Sequence, residues 1–291
     1  MKNCLNHMGN ILIVIWWRFA MHTTRQPAVA GAFYSGNKQI LTDEIKTLLA
    51  SAEAVIGHAY PKAIIVPHAG YIYSGQTAAI AYARLTQGRE SIKRVVLLGP
   101  VHRVPLRGLA LPDADAFATP LGEITIDQEA IASLSGLSQV VVSRAAHGQE
   151  HSLEVQLPFL QTVLDDFKLV PLAVGDSTPA EVAEVLDALW GGPETLIVVS
   201  SDLSHYLPYD LAQSVDQATV QNILSMKSSL THQQACGGTP VNGLILAASR
   251  HHLKPKLLDL CNSGDTAGDK DKVVGYASFI FTEETNDGST I

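Results

Sequence analysis

Short apolar runs separated by amphipathic stretches set the rhythm of this chain. KAIIVP (Lys62–Pro67), RVVLLGP (Arg94–Pro100), Lys168–Val174 and TLIVVSS (Thr195–Ser201) are rich in Val, Ile or Leu and are closed by Pro, Gly or Ser. Runs that stay apolar on consecutive positions predict strands buried on both faces, as in parallel sheets. Between them the spacing turns helical. Ile40, Leu41, Ile45, Leu48 and Leu49 predict an amphipathic helix over 38–51. Ser74 reads as the N-cap of an Ala-rich helix, Gly75–Leu85. Further helices are predicted at Gln128–Leu134, at Ser152–Leu164 with Pro158 as a kink, and at Thr178–Trp190, with Thr178 as cap and Pro179 in the first position. Others fall near 210–228 and from Thr239-Pro240 to about His251. GLALP and GEITID mark residues 103–127 as an antiparallel excursion, and Gln139–Val142, Lys256–Leu260 and Val273–Phe281 read as additional strands.

This alternation predicts an α/β fold, a single domain with a mostly parallel central sheet and helices on both faces. No Pro/Gly/Ser-rich linker divides the 291 residues, so the domain is placed at 24–285, with a C-terminal tail at 286–291. Residues 1–23 are set apart as an N-terminal extension expected to be disordered. NILIVIWW (Asn10–Trp17) is too short to span a bilayer, Arg18 interrupts it, and no small-residue cleavage site follows. Met21 is the expected natural start.

Composition removes several classes of function. A net charge of -8 without a long basic run excludes a nucleic-acid groove, and no segment predicts a membrane partner. Three cysteines, Cys4, Cys236 and Cys261, are too sparse and odd a set for a disulfide framework; they point to a reducing, cytoplasmic setting.

The chemistry-bearing residues follow the strands. His68 comes just after KAIIVP, His102 shortly after RVVLLGP, and Asp202 and His205 after TLIVVSS. In an open α/β sheet, ligands bind beyond the carboxyl ends of the strands. Each histidine also has a plainer reading, as a core or surface residue, and Asp202 one as a helix N-cap. As D-x-x-H on a helical turn, Asp202 would orient His205 or share a metal with it. Free backbone N–H groups near Ser74 are expected to face the crevice and suit an anion. Cys236, in ACGGTP before a helix, is expected to have a depressed pKa and more thiolate, against the alternative of a small buried hydrophobe. His147, Glu150 and His151 spell H-x-x-E-H, the inverted zinc-peptidase signature, but Gly148 and the preceding VVVS disfavour a helix through His147; His151 and Glu154 are placed at the crevice border.

PAVAGAFYSG (Pro27–Gly36), PHAGYIYSG (Pro67–Gly75), GPVHR (Gly99–Arg103), EHSLEVQLPFL (Glu150–Leu160), SSDLSHY (Ser200–Tyr206) and ACGGTPV (Ala235–Val241) occur in this order. Together they resemble the Memo family, also called AmmeMemoRadiSam system protein B, over about residues 25–282. Memo proteins are similar in fold to class III extradiol ring-cleaving dioxygenases, which hold non-haem iron with two histidines and a carboxylate. The resemblance implies a metal set of two histidines and a cysteine, here His68, His102 and Cys236, with His205 as acid–base residue and Asp202 beside it. It implies an iron or copper ion as cofactor, zinc being the poorer candidate, since a thiolate softens the site. An oxidoreductase follows as the first expectation. A non-catalytic scaffold that binds a small molecule or anionic peptide is the second, and a zinc hydrolase on His147, Glu150 and His151 the third. Family context adds a radical SAM protein and an AMMECR-type protein as partners. GPVHR departs from the family in lacking a Ser before the histidine, which removes no candidate ligand.

Overall fold

A computed structural model describes residues 22–52 and 60–283. The expectations for residues 1–20 and for the 286–291 tail lie outside the described residues.

The four apolar runs form the centre of the sheet. Ala63–Val66, Thr195–Ser200, Arg94–Pro100 and Lys168–Val174 lie side by side in that order, all parallel. Antiparallel neighbours extend this core into a mixed, nine-stranded sheet among the described residues. Val273–Glu283 runs against Ala63–Val66 and also pairs with Leu253–Asn262 and His205–Leu207. On the other side Leu109–Leu111 runs against Lys168–Val174 and carries Val140–Val142 at the edge. A separate three-stranded sheet joins Thr24–Arg25, Ala116–Thr119 and Gly122–Thr125, the antiparallel excursion expected there.

Side chains on a strand alternate between faces, so the consecutive apolar residues fill two cores. Ile65, Val96, Leu98, Ile197 and Val199 pack into one core with Val182 and Leu186 of helix Pro179–Ala188 and Leu244 and Ile245 of helix Gly238–Arg250. Ile64, Val66, Val95, Leu97 and Val198 face the other, against Leu41 and Ile45 of helix Lys38–Ser51, Tyr82 of helix Tyr71–Ala83 and Phe159 of helix Leu157–Val163. Helices therefore cover both faces. Thr178 and Glu181 form a reciprocal capping box with Pro179 in the first turn, as the sequence predicts.

Two helix starts differ from expectation. The Ala-rich helix begins at Tyr71, not after Ser74, with Gly70 as its cap; the Ser74 hydroxyl donates back to the Ala69 carbonyl, 3.1 Å away. Tyr71 N–H is already bonded to the Phe33 carbonyl, and Ser74 N–H to that of Gly70. The donors expected to wait there for an anion are thus engaged. The helix expected from Ser152 begins only at Leu157, after a short 3-10 turn at Glu154–Gln156, because Pro158 fits the first helical turn and not the interior.

Candidate metal centre

Strand order brings the candidates together. Ala63–Val66, Thr195–Ser200 and Arg94–Pro100 are adjacent and parallel, so His68, Asp202 and His102 emerge at one edge of the sheet. Cys236 reaches that edge from the segment before helix Gly238–Arg250. Its loop lies on the end of the Thr195 strand, where Cys236 N–H bonds to the Asp202 carbonyl at 3.3 Å and Gly237 N–H to Ser201 Oγ at 3.0 Å. A Cβ on Gly237 would meet Ser201 Cβ at 2.6 Å and the Ser200 carbonyl at 2.8 Å, so this approach requires glycine.

His68, His102 and Cys236 each present a ligand atom within 4.8 Å of the others. Cys236 Sγ is 3.3 Å from His68 Nε2, and His68 Nδ1 lies 2.9 Å from Ser200 Oγ. Glu150 anchors His102: its carboxylate accepts from His102 Nδ1 at 2.9 Å and from His102 N–H at 2.6 Å, and from the N–H groups of His151 and Ser152 at 2.8 and 2.9 Å. Burial pushes the Glu150 carboxyl up, but the His102 hydrogen bond and charge and the backbone N–H groups prevail and hold it down to about 2. An ionised carboxylate only accepts, so Nδ1 of His102 carries a proton; when the ring is neutral, as a metal ligand must be, its lone pair is on Nε2. This is the carboxylate–histidine arrangement that orients metal ligands.

His68 is 2% exposed, and burial, reinforced by nearby His102, brings its pKa down to about 3. The ring is neutral, so the 3.8 Å approach of Asp202 Oδ2 is not an ion pair. The Cys236 thiol is pushed up, not down, by burial and by Asp202 beside it. The expected depression fails because desolvation outweighs the nearby helix start. In the metal-free protein the residue is a thiol facing an imidazole nitrogen.

Asp202 and His205 do not share a helical turn. Residues 201–204 are neither helix nor strand, and His205 opens the short strand His205–Leu207. Asp202 Oδ1 instead accepts from the backbone N–H of His68 at 2.7 Å, and burial raises its pKa. Asp202, His205 and Cys236 still come within 4.8 Å of one another as a second candidate group. His205 Nδ1 donates to the Leu203 carbonyl at 2.9 Å, which leaves its Nε2 as the basic nitrogen.

Of the H-x-x-E-H residues His147 stands apart, while Glu150 and His151 stay together and with His102 form a third group whose ligand atoms lie within 4.8 Å of one another. Contrary to expectation His147 does lie on a helix, Arg144–Gly148, which Ser143 of the VVVS run caps, but that helix ends before Glu150; His147 is buried with Nε2 donating to the Ala110 carbonyl at 2.8 Å. It belongs to no candidate metal group among the described residues. Glu154 is also not at the crevice; it accepts from Arg25, from Tyr34 OH at 2.6 Å, and from the N–H groups of Ala28 and Val29 at 2.7 and 2.9 Å. His151 does line the site. Its ring stacks on His102 with centroids 4.7 Å apart and meets His68 edge-on at 5.5 Å. Beyond it opens a cavity of about 470 Å³, lined by Phe33, Tyr73, Tyr206 and Tyr276 with Asp202, His205 and Lys272.

Ser200, Ser152, Gln156 and Glu150 were not legible as supports of the site, although EHSLEVQ carries a signal. Its members Glu150, Ser152, Glu154 and Gln156 alternate with His151, Leu153 and Val155, and all four are at most 2% exposed. A polar alternation leading straight into an apolar helix marks a buried network, not a solvated face.

The Memo-like protein family model matches residues 25–280. The chain belongs to the Memo-like family. Among curated relatives, a MEMO1 family protein of Metallosphaera sedula is 34% identical over 284 residues, covering 89% of this chain and 99% of its own. One of Aquifex aeolicus is 38% identical over 270 residues, covering 88% and 98%. A fainter likeness, with TM-score 0.47 and 14% identity, is to the crystal structure of an uncharacterized protein from Escherichia coli K12, over 76% of this chain and 99% of that one. No helix among the described residues of this Memo-like protein is long and apolar enough to cross a membrane.

Proposed function

We propose that this Memo-like protein binds iron or copper through His68, His102 and Cys236 and acts as an oxidoreductase related to class III extradiol dioxygenases. One observation carries the reading: Cys236 Sγ stands 3.3 Å from His68 Nε2, and His102 completes the group. The donors fit a metal. The Glu150 contact turns the proton-bearing Nδ1 of His102 away from the group, and one sulfur with two nitrogens favours copper or iron over harder ions. A bound ion of that kind would supply electron transfer and Lewis acidity. The chain's own part is positional. Glu150 orients His102, and Nε2 of His205, the nitrogen not engaged by the Leu203 carbonyl, is the atom placed to exchange a proton with the substrate. The aromatic side chains that line the cavity suit a small organic molecule.

Elemental analysis after anaerobic purification tests this reading against His68→Ala and Cys236→Ala. Wild type is expected to retain iron or copper and both variants to lose it; equal metal content in all three would defeat the assignment.

A second reading is favoured by Lys272 beside the aromatic cavity, which suits an anionic peptide or small anion held without turnover. As a scaffold, the protein would work in the cytoplasm with a radical SAM protein and an AMMECR-type protein. Co-purification with either partner, together with no oxygen uptake, supports it.

A further inference from the structure

We propose that Ser200 is a positioning residue: its hydroxyl decides which nitrogen of His68 carries the proton, and so keeps the Nε2 lone pair turned toward Cys236. Its consequence for metal binding rests on the proposed metal site; the tautomer itself does not.

Ser200 Oγ has three neighbours. The Ser152 carbonyl is 2.6 Å away, Gln156 Nε2 2.9 Å and His68 Nδ1 2.9 Å. A hydroxyl has one proton, and a carbonyl can only accept, so that proton goes to Ser152. The orientation of the Gln156 amide is fixed by its other contacts: Nε2 donates to the Pro67 carbonyl at 2.9 Å and Oε1 accepts from Tyr82 OH at 2.9 Å. Its nitrogen therefore donates to Ser200 as well. What remains on Ser200 is a lone pair, and it faces His68 Nδ1. That nitrogen must be the N–H. In a neutral ring the lone pair is then on Nε2, the atom 3.3 Å from Cys236 Sγ.

The opposite arrangement, with Ser200 donating to His68, would set two oxygen lone pairs against each other across 2.6 Å. It would also leave a buried carbonyl unpaired. Ser200, Ser152 and Gln156 are 0% exposed, so water cannot relieve that conflict. Ser200 touches the ring from the side away from Cys236, which makes it a positioning residue and not a ligand.

The test is long-range ¹H–¹⁵N correlation on histidine-labelled, metal-free protein at neutral pH. In wild type, His68 Nδ1 is expected to be protonated and Nε2 unprotonated. Ser200→Ala should populate the Nε2–H form and weaken affinity for Zn²⁺ and Cu⁺ by about 10–100-fold. Wild type protonated at Nε2 would overturn the proposal, without any variant having to fold. So would Ser200→Ala keeping the wild-type tautomer. If the tautomer changes as expected but wild type binds neither ion, the metal reading fails and the role of Ser200 stands. If both proteins bind equally and the tautomer is unchanged, the role of Ser200 fails and the metal reading stands.

Discussion

Replacing Glu150 with Gln tests the electrostatic support of the site. The carboxylate takes two hydrogen bonds from His102 and one each from the backbones of His151 and Ser152. Its pKa is about 2 in the fold against an ordinary 4.5. A difference of roughly 2.5 pKa units is worth about 3 kcal/mol at neutral pH. The folded value lies below the unfolded one, so this stabilisation is complete above the unfolded pKa and disappears as pH falls through the folded pKa. Glu150→Gln supplies an amide whose N–H₂ would face donors, and it loses the charge at every pH. At pH 7 the variant should therefore be less stable by about 3 kcal/mol, or roughly 6–10 °C in thermal midpoint. By pH 3 roughly half of that gap should have closed, because wild type is losing the same interaction. Urea titrations at pH 7, 5, 4 and 3 measure it. Coincident midpoints at pH 7, or a gap that stays constant into acid, would refute the assignment of Glu150 as the ionised anchor of His102.

Three further outcomes are expected. Because burial raises the Cys236 thiol, metal binding must release its proton; affinity should rise about tenfold per pH unit from 7 to 9 in chelator competition, and Cys236→Ser should abolish that slope. Glu154→Gln leaves Arg25 buried without its carboxylate and should lower unfolding free energy by about 3–5 kcal/mol, read by urea denaturation, with residues 25–34 becoming sensitive to protease. Gly237→Ala forces its Cβ onto Ser201 and the Ser200 carbonyl; about 1–3 kcal/mol of stability should be lost, and metal affinity with it, as the loop carrying Cys236 lifts from the strand end.

The legible part of this protein is the part written in consecutive positions. Lys168–Val174 and Thr195–Ser200 match their predicted bounds because a strand buried on both faces needs apolar residues throughout. Capping chemistry located Thr178 for the same local reason. The candidates His68, His102 and Asp202 were legible as a set because strand ends in an open sheet share an edge. What failed depends on groups distant in sequence. Ser74 has the chemistry of a cap, but the Phe33 carbonyl already holds Tyr71 N–H, and the helix starts there. The D-x-x-H segment forms no helical turn because Leu203 N–H and the Ser204 carbonyl are bonded to Gly275, on the neighbouring Val273 strand. No spacing rule carries that information.

The reversed prediction for Cys236 shows how the site is balanced. A sequence places the thiol before a helix; only the fold shows how deeply it is buried, and how close Asp202 is. Burial penalises every charge at this edge, pushing Asp202 and Cys236 up and His68 and His151 down. Glu150 alone among these goes the other way, because it is given four hydrogen bonds. The fold thus spends its buried donors on one carboxylate behind His102 and leaves the inner groups favouring neutrality. A cation that displaces the Cys236 thiol proton would gain a sulfur anion together with the imidazole nitrogens of His68 and His102. That asymmetry is set by the hydrogen bonds behind the rings, at Glu150 and Ser200, and it is what the proposed metal reading draws on.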